Sequence, residues 1–172
     1  MVKFIHAADV HLGITYAGVG KSQKEIAREL KQAAFDAFER VIDTAIEEEV
    51  DALVLAGDLL DSSRTFVKEK LFLQSQLNRL APFGIPVVVA LGNHDAGTSY
   101  VSGEYIYTFG SAVETIEVET RNGERVAFSG FSYEVPVVAT RKVQEYPAKN
   151  ANCDVHIGVL HGELTTAQGR YA

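Results

Sequence analysis

The chain of 172 residues has the length of one domain and can bury a sizeable core. With 47% hydrophobic and 23% charged residues it lies outside the composition of disordered chains, and no apolar run approaches the roughly 18 residues that span a bilayer. The formal charge of −7 argues against the broad basic surface that nucleic-acid binders carry, although divalent cations held by acidic residues would reverse the local field. A single cysteine, Cys153, excludes an internal disulfide and suits a reducing compartment. The start of the chain, Met1 to His6, lacks the long apolar segment of a secretory leader. A soluble cytoplasmic protein without membrane association is expected.

In chain order, Phe4-Ile5-His6-Ala7-Ala8 reads as a short buried strand ending at Asp9. After a loop from Gly13 to Gly20, Ser22 and Glu25 form a capping box. Ile26, Leu30, Ala33, Ala37, Val41 and Ala45 then recur at spacings of three or four, widened by Phe38, Ile42 and Ile46. This predicts a helix to about Glu48. Asp51 to Ala56 reads as a second buried strand, ending at Gly57-Asp58. A second helix is expected over roughly Thr65 to Leu80, with Phe66, Leu73, Leu77 and Leu80 on one face. Pro82, Gly84 and Pro86 punctuate the loop that follows, and Val87 to Leu91 is a third buried strand ending at Gly92-Asn93-His94-Asp95. This alternation indicates parallel strands joined by right-handed crossovers. The second half differs: Thr115 to Glu119 alternates, Asn122-Gly123 signals a hairpin turn, and Val126-Ala127-Phe128 returns. Asp154 to Leu160 is a last apolar strand, delivering His161. The fold class is α/β with a mixed sheet system, a single domain over residues 1–172.

Asp9, Asp58, Asn93 and His161 each fall at or just past the C-terminal end of an apolar strand, the edge at which open α/β sheets bind ligands. Carboxylate, imidazole and amide oxygen without thiolate suit Mn, Fe or Zn better than copper(I) or an iron–sulfur cluster. A single catalytic zinc takes three protein ligands and a water. The set Asp9, His11, Asp58, Asn93 and His161 exceeds that, and a carboxylate such as Asp58 can bridge two ions. Two ions roughly 3.5–4 Å apart hold a phosphate oxygen, acidify a bridging water and stabilise in-line displacement. His94, directly after Asn93, is better placed to act on the scissile phosphate as acid or charge stabiliser, with Asp95 orienting its ring.

Asp9-x-His11, Gly57-Asp58 and Gly92-Asn93-His94-Asp95, in that order after successive strands, resemble the calcineurin-like metallophosphoesterases. Phe4 to Gly13, with Leu55-Ala56-Gly57-Asp58-Leu59-Leu60-Asp61, is more specifically similar to the DNA-repair exonuclease branch, the SbcD-like nucleases. The resemblance implies a two-sheet sandwich flanked by helices. It implies that Asp9 and His11 bind one metal, that Asp58 bridges, and that Asn93 and His161 bind the second. His94 then assists the leaving group or stabilises the transition state. Manganese is the implied metal in the nucleases, with iron or zinc in some phosphatase relatives. DNA is the implied substrate, an SMC-like ATPase the implied partner, and a homodimer is compatible with it. The family continues with a Gly-His-x-His block after the position of His161, which this sequence lacks before Ala172, so a domain incomplete at its C-terminus is expected.

The leading expectation is therefore a Mn-dependent phosphodiesterase, a DNA exonuclease. A phosphodiesterase or phosphatase acting on a small nucleotide or other phosphoester shares the same site. A non-catalytic fragment is the reading from a different class. The remaining residues carry plainer expectations: His6 and His156 as hydrogen-bonded core histidines, Asp61 as a carboxylate behind the ligands, Cys153 as an inert thiol, and Glu47-Glu48-Glu49 as a solvated helix end.

Overall fold

A computed structural model describes residues 1–14, 24–61 and 67–162. Strands β1 (Phe4–Ala7), β2 (Ala52–Ala56), β3 (Val87–Ala90) and β4 (Ile106–Thr108) form a parallel sheet in the order β1-β2-β3-β4. Helix α1 (Lys24–Glu47) joins β1 to β2, and α2 (Val67–Asn78) joins β2 to β3. A second sheet contains β5 (Glu114–Glu119), β6 (Arg125–Gly130) and β7 (Val155–Val159). There β5 and β6 make the expected antiparallel hairpin, while β7 runs parallel to β6. Gly123, at φ 78°, supplies the left-handed residue of the hairpin turn. The architecture is the expected two-sheet α/β arrangement with flanking helices. No helix among the described residues is long and apolar enough to cross a membrane.

The alternation along β2 and β3 divides the core in two. Leu53, Leu55, Val87 and Val89 face the helices and pack with Phe35, Phe38, Ile42, Leu73, Leu77 and Leu80. Ala52, Val54, Ala56, Val88 and Ala90 face the other way, against Phe109, Val126, Phe128 and Val159 of the second layer. The central strands are buried on both sides, which is why they read as continuous apolar runs.

Two local expectations are corrected, and one strand is added. The first strand is not buried: β1 is an edge strand whose exposure alternates, with Phe4 41% exposed and His6 open to solvent. Only Ile5 and Ala7 turn toward the helices. The apolar face expected of α1 is buried only in its C-terminal half, where Phe38, Ile42 and Ala45 hold as expected. Ile26, Leu30, Ala33 and Ala37 are exposed, whereas Phe35, Phe38, Ile42 and Ala45 are buried. Strand β4, for which the sequence carried no expectation, lies within Tyr105-Ile106-Tyr107-Thr108-Phe109. It is only three residues long, and the Asn-His-Asp loop supplies its crossover. Ser22 and Phe66 lie outside the described residues.

Candidate metal centre

The motif loops leave β1, β2 and β3 side by side because the backbone stitches them together. The Asp9 N–H donates to the Gly57 carbonyl (3.1 Å), His11 N–H to the Asp58 carbonyl (2.9 Å), and Gly57 N–H to the Ala90 carbonyl (2.8 Å). Asp9, His11 and Asp58 all adopt left-handed backbone, at φ 53°, 45° and 51°. Three such non-glycine residues at one sheet edge are local strain held in place by surrounding structure, a pattern concentrated at functional sites.

The two motif glycines are there for close approach. A Cβ on Gly57 would lie 2.2 Å from the His161 ring, and one on Gly92 would lie 2.2 Å from Asp58 Oδ1. The space at Gly57 lets β7, from the other sheet, deliver His161 to the strand ends of the first, and the space at Gly92 admits the Asp58 carboxylate. Asp58 sits at the centre. Its Oδ1 accepts the His94 backbone N–H (2.9 Å), and its Oδ2 lies 3.7 Å from His11 Nε2 and 3.4 Å from His161 Nε2. His11 Nε2 is also 3.8 Å from Asp9 Oδ1. One carboxylate oxygen thus stands between two imidazoles, each with its own companion: Asp9 beside His11, Asn93 beside His161.

The donor set fits divalent metal. Among the described residues, Asp9, Asp58 and His161 offer ligand atoms within 4.8 Å of one another. His161 Nδ1–H donates to the Ala56 carbonyl (3.1 Å), leaving Nε2 to face Asn93 Oδ1 at 3.1 Å. With that tautomer two acceptors face each other, an arrangement that a proton or metal ion held between them satisfies. The separations of 3.4–3.8 Å exceed hydrogen bonds but approach the roughly 3.4 Å between two ligands held near 2.1 Å from one tetrahedral ion. His11 Nδ1 is buried without a hydrogen bond among the described residues.

The electrostatics agree. Burial pushes the Asp58 carboxyl upward, but His161, the His94 N–H and the nearby imidazole charges outweigh it and hold it below the ordinary value. The same contact with Asp58 raises His161 above its ordinary value, against the opposing effect of burial. The whole lies in an open cleft of about 580 Å³, lined by Asp9, Asp58, Asn93, His94 and His161, with His6 and Leu160 at its side.

Two residues take places other than those expected. Asp95 is 1% exposed and faces inward. It accepts the N–H groups of Leu59, Leu60 and Gly92, each at 3.0 Å, and the Tyr100 hydroxyl. The carboxylate beside the His94 ring is Asp61, whose Oδ1 is 3.5 Å from Nδ1. Asp61 arrives there because Leu60 bridges to Leu12 and the Asp61 N–H donates to the Leu12 carbonyl (3.2 Å). His6 is corrected likewise: its ring lies on the cleft wall, not in the core. His156 is hydrogen-bonded as expected, to Ser129 Oγ (2.8 Å) and from the Asn150 N–H (3.0 Å). Sequence reasoning missed Tyr133 altogether. Its ring packs edge-on to His161 at 6.0 Å, its N–H donates to the Leu91 carbonyl (3.0 Å), and its irregular segment carries no periodic signal.

The pattern that defines calcineurin-like phosphoesterases matches residues 2–170. The chain belongs to the calcineurin-like phosphoesterase family. Members use a dinuclear divalent metal site, and Asp9, Asp58 and His161 form a group that could hold a metal ion. Among curated phosphoesterase relatives, the uncharacterized metallophosphoesterase YhaO of Bacillus subtilis is 35% identical over 96% of this chain and 42% of its own length. The DNA double-strand break repair protein Mre11 of Haloferax volcanii is 33% identical over 96% of this chain and 35% of its own. The chain thus spans less than half the length of these relatives. A dimetal phosphatase from Danio rerio superposes at a TM-score of 0.43 with 18% identity, over 74% of this chain and 43% of its own, too loosely to argue from.

Proposed function

We propose that the cleft hydrolyses phosphodiester bonds with two divalent ions, manganese first among them, and that DNA is its substrate, attacked as by an exonuclease. The observation that carries this reading is Asp58 Oδ2 standing between the His11 and His161 imidazoles. Asp9 and His11 would hold one ion, Asn93 and His161 the other, and Asp58 both. Bound there, the ions supply Lewis-acid activation of water and charge neutralisation at the phosphate.

The chain's own residues supply the remainder. The Ala56 carbonyl fixes the His161 ring through Nδ1, so that Nε2 points into the cleft. The His94 backbone N–H holds Asp58, while its half-exposed ring points toward the open side, where it can donate a proton to the departing oxygen. Asp61 orients that ring from behind, the role that sequence alone had given to Asp95. Asp95 instead locks the β2 and β3 loops together. DNA as substrate is supported by relatives that carry the name of a DNA break-repair protein, and by the Phe4 to Gly13 and Leu55 to Asp61 stretches.

The test offers linear DNA and bis-p-nitrophenyl phosphate to the purified chain with Mn²⁺ and with chelator. Mn²⁺-dependent hydrolysis of both is expected. Cleavage of the small diester with DNA left intact would sink the nuclease reading. It would favour the small phosphoester alternative.

A further inference from the structure

Beyond the residues that hold metal or act on the scissile bond, the cleft contains one more imidazole. Along β1, Ile5 and Ala7 pack toward the helices, so Phe4, His6 and Ala8 occupy the opposite face, where Val2 packs against the inter-sheet core. His6 and Ala8 thereby become cleft wall, beside Leu160 and Gly162. His161, Asn93 and Asp58 are engaged with one another or with backbone. The His6 ring has no hydrogen-bond partner among the described residues and is open to solvent.

Its place across the cleft matters. The His94 ring packs against the His11 ring (centroids 5.0 Å apart) and beside Asp61, whereas His6 lines the cleft with Ala8, Leu160 and Gly162. With the scissile phosphate of a nucleotide chain at Asp58 and its leaving oxygen toward His94, the adjoining unit can extend over β1 to His6 and Leu160. Imidazole carries an N–H donor in either neutral tautomer, matching a phosphate oxygen or a sugar hydroxyl. Leu160, 45% exposed, offers apolar surface for a sugar or base next to it.

We infer that His6, with Leu160, forms a second binding position that grips the nucleotide unit adjoining the scissile phosphate, so that the site prefers polynucleotides over isolated diesters. This inference rests on the phosphodiesterase reading above. It assigns His6 to substrate binding and leaves proton transfer with His94.

The test pairs His6→Ala and His6→Asn with two measurements. One is KM and kcat on a short single-stranded oligonucleotide and on bis-p-nitrophenyl phosphate with Mn²⁺. The other is binding of the same fluorescein-labelled oligonucleotide, read by anisotropy with Ca²⁺, with metal content measured alongside. Loss of one hydrogen bond to a charged group corresponds to about 10-fold weaker oligonucleotide binding in His6→Ala. An increase in oligonucleotide KM that exceeds any change on the small diester is expected, with partial recovery in His6→Asn, which keeps a donor. Equal losses on both substrates, or unaltered oligonucleotide binding, would overturn the inference. If the wild-type chain hydrolyses neither substrate, the phosphodiesterase reading fails, and anisotropy alone decides whether His6 grips a nucleotide chain.

Discussion

Gly57 determines how near the second sheet can bring His161 to the first, and Gly92 how near the Asp58 carboxylate comes to the loop after β3. Gly57→Ala would both strain a residue at φ 84° and drive a methyl group into the His161 ring. Calorimetric Mn²⁺ titration should show at least about 10-fold weaker binding, and denaturant unfolding a loss of about 1–3 kcal/mol. His94 and Asp61 should behave differently. His94→Ala is expected to keep metal while turnover falls by about 10²–10⁴-fold, and Asp61→Asn to follow it with a loss of about 10–100-fold. Loss of metal together with turnover in His94→Ala would instead make it a ligand. Asp95→Asn belongs with stability: it replaces one of two oxygens, each of which accepts two donors, with an NH2 group that faces those donors, and should cost about 1–3 kcal/mol in denaturant unfolding. The convergence of Asp9, His11, Asp58, Asn93 and His161 was legible because strand ends in an α/β sheet come together, whatever their distance in sequence. The choice between Asp61 and Asp95 was not. Both lie close to His94 in space, and only the backbone path after Asp58 decides which one turns outward.

At the scale of elements, the least legible piece is the long connection from β6 to β7, which has neither helical nor strand period. It nevertheless supports the site. Ser132 Oγ accepts the Leu91 N–H (3.0 Å), Tyr133 braces His161, and the Tyr146 hydroxyl donates to the Val159 carbonyl at the end of β7 (2.5 Å). Burial, with a smaller contribution from Tyr133, pushes the Tyr146 phenol up to about 12. An unfolded tyrosine titrates near 10. The folded state therefore prefers the neutral phenol, and its contribution to stability is complete below pH 10 and lost as pH rises through 12. Denaturant unfolding measured from neutral to alkaline pH should show that decline. Tyr146→Phe should be about 1 kcal/mol less stable at neutral pH, with a shallower alkaline slope. A slope remains, because burial raises Tyr100 and Tyr133 in the same direction. An unchanged slope in Tyr146→Phe would mean that its hydroxyl is not held as described. Helix α1 teaches the complementary lesson. Its existence followed from periodicity, and so did the burial of Phe38, Ile42 and Ala45, whereas the periodicity did not show that Ile26, Leu30, Ala33 and Ala37 stay exposed or that Phe35 joins the core.

For the whole molecule, the decisive feature is that one site needs both sheets. Three strands of the first sheet present Asp9, His11, Asp58, Asn93 and His94, and β7 of the second presents His161 across an interface closed by Val54, Val88, Val126 and Phe128. The strand alternation that makes β2 and β3 apolar throughout announces this two-sided burial in the sequence. The edge position of β1 is not announced, because an apolar run reads the same at an edge as at the centre. That position is what opens His6 to the cleft. The central claim is that Asp58 joins two metal positions, and Mn²⁺ binding by wild type and by Asp58→Asn tests it most directly, with the bound metal also counted by elemental analysis. The wild-type chain should take up at least one equivalent of Mn²⁺, and Asp58→Asn should bind at least about 10-fold more weakly and lose hydrolysis of bis-p-nitrophenyl phosphate. A wild-type chain that binds less than one equivalent, with Asp58→Asn indistinguishable from it, would contradict the account.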